Sequence, residues 1–256
     1  MCTHPLIAIL IFIIALGCSS TSNASTPRHQ LLTALLSKYV QDGVVNYKEL
    51  RSDKRLSQYI NWLATTDPQT LSDANDRLAF WINAYNAYTL KVICDNYPVK
   101  SIMDIRGPAG DAKTSVWDLD LATINSKAMS LNHIEHEIIR PKFKDPRAHF
   151  ALVCASKSCP ALRSDAFEGE TLDGQLKEQG RRFLTDTSRN EFNPVRIEAR
   201  LSQVFEWFRD DFGSSKNERL QFLAQFLPDT LAGKIRASPE RWTISYKTYD
   251  WSLNGF

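Results

Sequence analysis

The stretch FWINAYNAYTL, residues 80–90, constrains the fold of this chain more than any other. It lies in a run from about residue 73 to 96 that reads as one long helix. Ser72 suits its N-cap, and the helix must stop before Pro98. A helix that is apolar almost all round has no face to offer water, so the rest of the chain has to cover it. Asn83 and Asn86 stand three apart on one side of it. A buried amide left without partners costs about 1–3 kcal/mol, so both need hydrogen-bonding partners. They either clamp the backbone of a neighbouring loop, or line a cleft and orient a ligand or catalytic group.

What surrounds this helix reads as more helix, with strands arriving singly. Leu31, Leu32, Leu35, Leu36 and Tyr39 recur at helical spacing until Gly43. A hairpin is expected around Asn125-Ser126, a helix over 132–140, and a buried strand over 148–154. Helices follow near 172–185, 203–212 and 216–227. Trp242, Ile244 and Tyr246 then alternate with polar residues as in a strand. The pattern predicts an α+β fold, a single helix-rich domain with a small, mostly antiparallel sheet packed on a long central helix. From residue 29 onward no linker, repeat or low-complexity tract interrupts the chain, so one domain over 28–256 is expected.

The first residues read as an address. LIAILIFIIAL, residues 6–16, is too short to span a bilayer comfortably but suits the core of a signal peptide. Cys18 follows Ala15-Leu16-Gly17 as in a lipoprotein processing site, which makes residues 1–17 a lipoprotein-type signal peptide and Cys18 the lipidated residue. Residues 18–27 then form a polar tether. Small-residue cleavage after Ala24, giving a soluble secreted protein, is the second choice. The expected location is the cell envelope, outside the cytoplasm, with the membrane as a partner through an N-terminal lipid anchor. Lys and Arg exceed Asp and Glu by 31 to 29, without a basic stripe, which argues against nucleic acid as a partner.

Two segments carry chemistry. LNHIEHEIIRPKF places Asn132 and Glu135 at capping-box spacing and crowds His133, His136 and Glu137 into one turn. The order H-x-x-H-E fits neither zinc-hydrolase motif, and no metal or cofactor is assigned. HFALVCASKSCP holds His149, Cys154 and Cys159 within twelve residues. Along a strand His149 and Cys154 would point to opposite faces roughly 16 Å apart, too far for a dyad. A base for Cys154 would then come from His136 or His133, oriented by Glu135 or Asp250. Alternatively Cys154 and Cys159 form a disulfide around a four-residue loop, contributing roughly 2 kcal/mol. A thiolate metal ligand is a third reading, weakened by the lack of a second cysteine pair. Residues 107–114, GPAGDAKT, look like a phosphate loop but carry Ala112 where the motif needs glycine before Lys113.

FWINAYNA, IEHEIIR, DPRAHFALVCASKSCPAL and the closing YDWSLN, taken in order, resemble the DUF547 domain family of bacteria and plants. The resemblance runs from about residue 47 to 254. It implies a domain label and no reaction, because no activity is assigned to the family, and no catalytic residues carry over.

The residues therefore point to an extracytoplasmic protein of unassigned activity, with a binding cleft for an envelope protein, a peptide or a cell-wall ligand. The alternative is a thiol- or His-dependent hydrolase or acyl transferase acting on peptide or cell-wall substrates. Its candidate catalytic residues are Cys154, His136, His149 and Glu135, with Asn83, Asn86 and Asp250 lining the cleft.

Overall fold

The central helix, Ala74–Asn96, is buried without a break from residue 78 to 90 in the computed structural model, which describes residues 29–107 and 114–256. The expected signal peptide, tether and lipidated Cys18, and most of the GPAGDAKT segment at 107–114, fall outside the described residues. Asp73, not Ser72, caps the helix: its carboxylate accepts the Asp76 amide at 2.8 Å. Helices Gln30–Tyr39 and Lys54–Thr65 lay Leu32, Leu35, Leu36, Leu56, Tyr59 and Leu63 into the same core, and each such side chain taken from water stabilises by about 1.5–3 kcal/mol.

A second core lies beside the first. Phe150, Phe183, Phe205, Phe212 and Phe226 meet there with ring centroids 4.9–6.1 Å apart, in mostly tilted or edge-on pairs that aromatic quadrupoles favour. Helices Leu172–Thr185, Lys216–Leu223 and Asp229–Ala237 frame it, with buried Trp242 at the start of the last strand.

The chain is α+β, as its pattern predicts, but there is no single sheet on the central helix. Among the described residues the strands form three small sheets. Val40–Gln41 pairs with Val44–Val45, and Ala122–Ile124 with Lys127–Met129, both antiparallel. Glu191–Asn193, Glu198–Leu201 and Thr243–Tyr246 make a three-stranded sheet whose last pair is parallel. Strands of two to four residues have too few ladder bonds to recruit one another, so each sheet stays local. The hairpin turn is where Asn125-Ser126 predicts it, with both residues at positive φ (48° and 60°), as a two-residue turn of the primed type requires.

The expected strand over 148–154 is not formed. A 3-10 turn, Pro146–Phe150, leads into irregular chain whose residues 148–153 are buried. Its backbone bonds to side chains instead of to a neighbouring strand. The Asn86 amide donates to the Ala151 carbonyl at 2.9 Å and accepts the Val153 amide at 2.9 Å. Gln179 donates to the Phe150 carbonyl at 3.1 Å. Asn83 treats the 165–168 loop the same way, donating to the Phe167 carbonyl and accepting its amide. The helix expected over 203–212 breaks at Phe208 (φ −112°, ψ 24°) into Val204–Trp207 and Arg209–Phe212.

The C-terminal segment closes the fold as a strap. Asn254 donates its backbone amide to Ala155, gives its carbonyl to Val45 and accepts the Tyr47 hydroxyl at 2.8 Å. Gly255 is required here, since a Cβ would stand 2.0 Å from the Val45 carbonyl oxygen.

Asn86→Ala leaves two buried backbone groups orphaned and should lower unfolding free energy by about 3 kcal/mol in urea denaturation. Exposed Asn75→Ala should change it by less than about 0.5 kcal/mol.

Candidate functional site

A cavity of about 170 Å³ opens where the 132–140 turn, the 152–160 loop, the broken 204–212 helix and the strap converge. Tyr85, Trp117, Trp207, Phe208, Tyr249 and Trp251 form its aromatic walls. Glu135, His136, His149, Cys154 and Cys159 bring chemistry to it.

The 132–140 turn owes its geometry to a π-helix, His133–Ile139. The Arg140 amide bonds to the Glu135 carbonyl five residues back, and this wider turn rolls Glu135 into the protein. The expected capping box is absent: Asn132 is itself helical, and its side chain donates to Asp118. Burial pushes the Glu135 carboxyl up to about 7, against a lowering hydrogen bond from Tyr85, and the nearby Cys154 charge raises it further. His133 is exposed and lies away from the cavity.

Two histidines and one carboxylate are tied together behind Glu135. His149 Nε2 donates to Asp211 Oδ2 at 2.7 Å, and its Nδ1 lies 3.8 Å from Glu135 Oε1. Arg140 clasps Asp211 with two donors, at 2.6 and 3.0 Å, and a third donates to His136 Nδ1 at 2.8 Å. Phe208 stacks on the His149 ring with centroids 4.1 Å apart, and the His136 ring and the Arg140 guanidinium lie 6.1 and 5.2 Å from its centroid. Burial pushes His149 below the ordinary histidine range, even though Asp211 favours its protonation. Burial and then Arg140 do the same to His136. Both rings are therefore neutral near pH 7. Hydrogen bonds from His149 and Arg140, set against burial, hold Asp211 well below the usual carboxylate range.

Cys154 sits at a kink, because Ala155 takes a left-handed φ of 59°. Cys154 and Cys159 are free thiols with their sulfurs 2.8 Å apart. The Cys154 sulfur also contacts the Ser156 hydroxyl at 3.2 Å and the Tyr249 hydroxyl at 3.1 Å. Burial opposes the thiolate, but the bonds from Cys159, Ser156 and Tyr249 outweigh it and bring Cys154 down to about 7. Cys159, buried and facing the Cys154 sulfur, is pushed up.

His149 and Cys154 are not held on opposite faces, because the strand that would separate them is not formed. The turn and the kink bring both to one cavity, together with Glu135 and His136. His136 does not act on Cys154 as a base here, because its Nδ1 is engaged by Arg140. Asn83 and Asn86 do not line the cavity, since their amides are spent on loop backbone. Nor does Asp250, which is exposed and accepts the Ser252 amide. In extended chain neighbours face opposite ways, so Tyr249 and Trp251 point in where Asp250 points out. That alternation was the available signal for both aromatics. Asp211, Arg140 and Ser156 carry no such signal in the sequence.

Among the described residues no group of three or more His, Cys, Asp or Glu side chains is placed to hold a metal ion. No helix among them is long and apolar enough to cross a membrane.

Residues 68–184 match the family model described as protein of unknown function, DUF547. This segment is a DUF547 domain. It is shorter than the span over which the motifs resemble the family, and it contains Tyr85, Glu135, His136, Arg140, His149, Cys154 and Cys159. Trp207, Phe208, Tyr249 and Trp251 reach the cavity from beyond the DUF547 segment, and Asp211 reaches His149 behind the cavity. No curated protein and no solved structure matches the chain.

Glu135 binds its proton more tightly folded than unfolded, so its contribution to stability is complete below about pH 4.5 and is lost as pH rises through about 7. Relative to Glu135→Gln, the wild-type protein should lose on the order of 3 kcal/mol across that window, read from urea midpoints at successive pH values. Parallel pH profiles of the two proteins would contradict the burial of an ionisable Glu135.

Proposed function

We propose that this DUF547 protein is a cell-envelope enzyme of thiol-dependent acyl transfer or hydrolysis, with Cys154 as nucleophile and Glu135 as proton carrier. The observation that carries the reading is the Cys154 thiol, held near neutrality by three hydrogen-bonding groups inside an aromatic cavity that Glu135 also faces. A thiol lowered in this way is thiolate, the reactive form, to a greater extent than a free cysteine, without a histidine to deprotonate it. The Cys154 and Glu135 charges oppose each other, which disfavours ionising both and leaves one proton shared between the two groups, a state that includes a thiolate beside a protonated carboxyl. That pairing suits a nucleophile and a general acid.

The steps follow from those two groups. The Cys154 thiolate attacks an acyl carbon, and the carbonyl electron pair moves onto oxygen. Collapse breaks the bond to the leaving amine or alcohol, which takes its proton from Glu135. Water or an acceptor amine then attacks the thioester, Glu135 takes the incoming proton, and the thiolate leaves. Ser156 and Tyr249 stabilise the thiolate at both ends of the cycle. His149, anchored by Asp211 and Arg140, fixes the surroundings of Glu135.

The aromatic walls favour a substrate with an apolar or ring-bearing group beside the acyl carbon, as peptides and cell-wall fragments have. Residues 6–16 and Cys18 support an envelope location with the membrane as partner through a lipid anchor. A ligand-binding cleft without chemistry is the second reading. It is favoured by both imidazoles being engaged elsewhere, His149 by Asp211 and His136 by Arg140.

Reduced protein incubated with p-nitrophenyl acetate should take up one acetyl group on Cys154, seen by peptide mass. Cys154→Ser should lose that adduct, and alkylation of Cys154 by iodoacetamide should reach half its maximal rate near pH 7 rather than near 8.5. A thiol that titrates like a free cysteine and takes no acetyl group would leave only the binding reading.

A further inference from the structure

The cavity presents two sulfurs, and acyl transfer uses one. Cys159 is 3 % exposed and lies behind Cys154, its sulfur accepting the Cys154 backbone amide at 2.8 Å. The loop between them is braced from both sides. The Cys159 amide bonds to the Ser156 carbonyl, Ser156 pairs with Leu253 of the strap, and Arg189 donates to the Cys159 carbonyl at 2.7 Å. The 2.8 Å between the sulfurs leaves a small approach to bonding distance, about 2.05 Å. Cys154 meets the cavity first and Cys159 stands behind it, the order of an attacking and a resolving thiol.

We propose that Cys154 and Cys159 form a dithiol site that reduces a hydroperoxide and closes reversibly into a disulfide. The site uses the same Cys154 thiol as the acyl-transfer reading but needs no acyl substrate. In the first step the Cys154 thiolate attacks the terminal peroxide oxygen. The O–O bond breaks, Cys154 becomes a sulfenic acid, and the departing alkoxide takes a proton to leave as an alcohol. In the second step the Cys159 sulfur, as thiolate, attacks the Cys154 sulfur. The S–O bond breaks, and hydroxide leaves with a proton as water. Two thiols and one hydroperoxide thus give one disulfide, one alcohol and one water. An external dithiol restores both thiols by two exchanges.

The charge balance orders the two steps. While Cys154 is a thiolate, its charge and burial together keep Cys159 protonated. Once Cys154 carries oxygen and no charge, burial remains but the charge opposition is removed, so Cys159 ionises more readily and attacks. Ser156 and Tyr249, already in contact with the Cys154 sulfur, stand beside the leaving oxygen as donors.

The test treats the fully reduced whole chain with one equivalent of hydrogen peroxide, followed by dimedone and mass spectrometry. The expected wild-type product has lost two hydrogens, carries no dimedone, and regains both thiols with dithiothreitol. Cys159→Ser should instead accumulate a dimedone adduct on Cys154, about tenfold above wild type, because nothing resolves the sulfenic acid. The wild-type mass alone decides the matter should that variant not fold. Dimedone labelling of wild-type Cys154, or thiols that persist after peroxide, would overturn the proposal. A pair that stays oxidised in excess dithiothreitol would also overturn it, as a fixed staple. Acetylation of Cys154 in the absence of oxidant reports the acyl-transfer reading separately, so either can fail alone.

Discussion

The structure turns on a pair of amides inside its central helix. Asn83 and Asn86 sit where an apolar helix is least able to tolerate polar groups, and each is satisfied by two bonds to the backbone of a distant loop. Asn86 matters most for the site. It fixes the Ala151 carbonyl and the Val153 amide, and Cys154 is the next residue. Without a strand partner, this buried chain would carry unpaired peptide groups, each costly in a low-dielectric core. The helix thus does for the loop what a sheet would have done. In return it leaves the loop free to kink at Ala155 and present a sulfur to the cavity.

The charges behind the cavity follow a similar economy of partners. Arg140 is the organising cation: two of its donors fix Asp211 and a third fixes His136. Asp211 in turn orients His149, and the Phe208 ring stacks on His149 and lies under the guanidinium. A half-buried bidentate pair of this kind is geometrically specific even where its net stabilisation is small. Glu135 stands outside the ion pair, 3.8 Å from His149, with burial as the largest influence on it. The result is one carboxylate that stays ionised and one that can hold a proton at neutral pH, each beside a different nitrogen of one neutral imidazole. That division comes from burial and partners, since both groups are ordinary carboxylates.

The strap joins these arrangements to the rest of the chain. Tyr47 and Asn254 are hydrogen-bonded across 207 positions of sequence, and Leu253 pairs with Ser156 in the cysteine loop. Trp251 and Tyr249, carried on this strap, pack on Trp207 from the broken helix with centroids 5.7 and 4.7 Å away, and on each other at 4.5 Å. The site is therefore assembled from the matched DUF547 segment and from chain well beyond it, which is why neither portion alone forms the cavity.

From the residues themselves come the long buried helix, the helices that begin near residues 30, 172 and 216, the Asn125-Ser126 hairpin, the α+β character and the motifs that mark the family. Those features rest on local rules, such as apolar periodicity, the turn chemistry of Asn and Ser, and proline stops, which act over a few residues. The same rules read 148–154 as a strand, because a short apolar run looks alike whether a sheet or side-chain amides satisfy its backbone. Only the tertiary structure decided that question, and with it the meeting of His149 with Cys154. It also decided that Glu135 turns inward on a π-helix, that Asp211 and Arg140 belong to the site, and that Tyr249 and Trp251 face the cavity while Asp250 does not. Each of these depends on contacts between residues far apart in sequence, whose desolvation and charge exist only once the chain has closed around them.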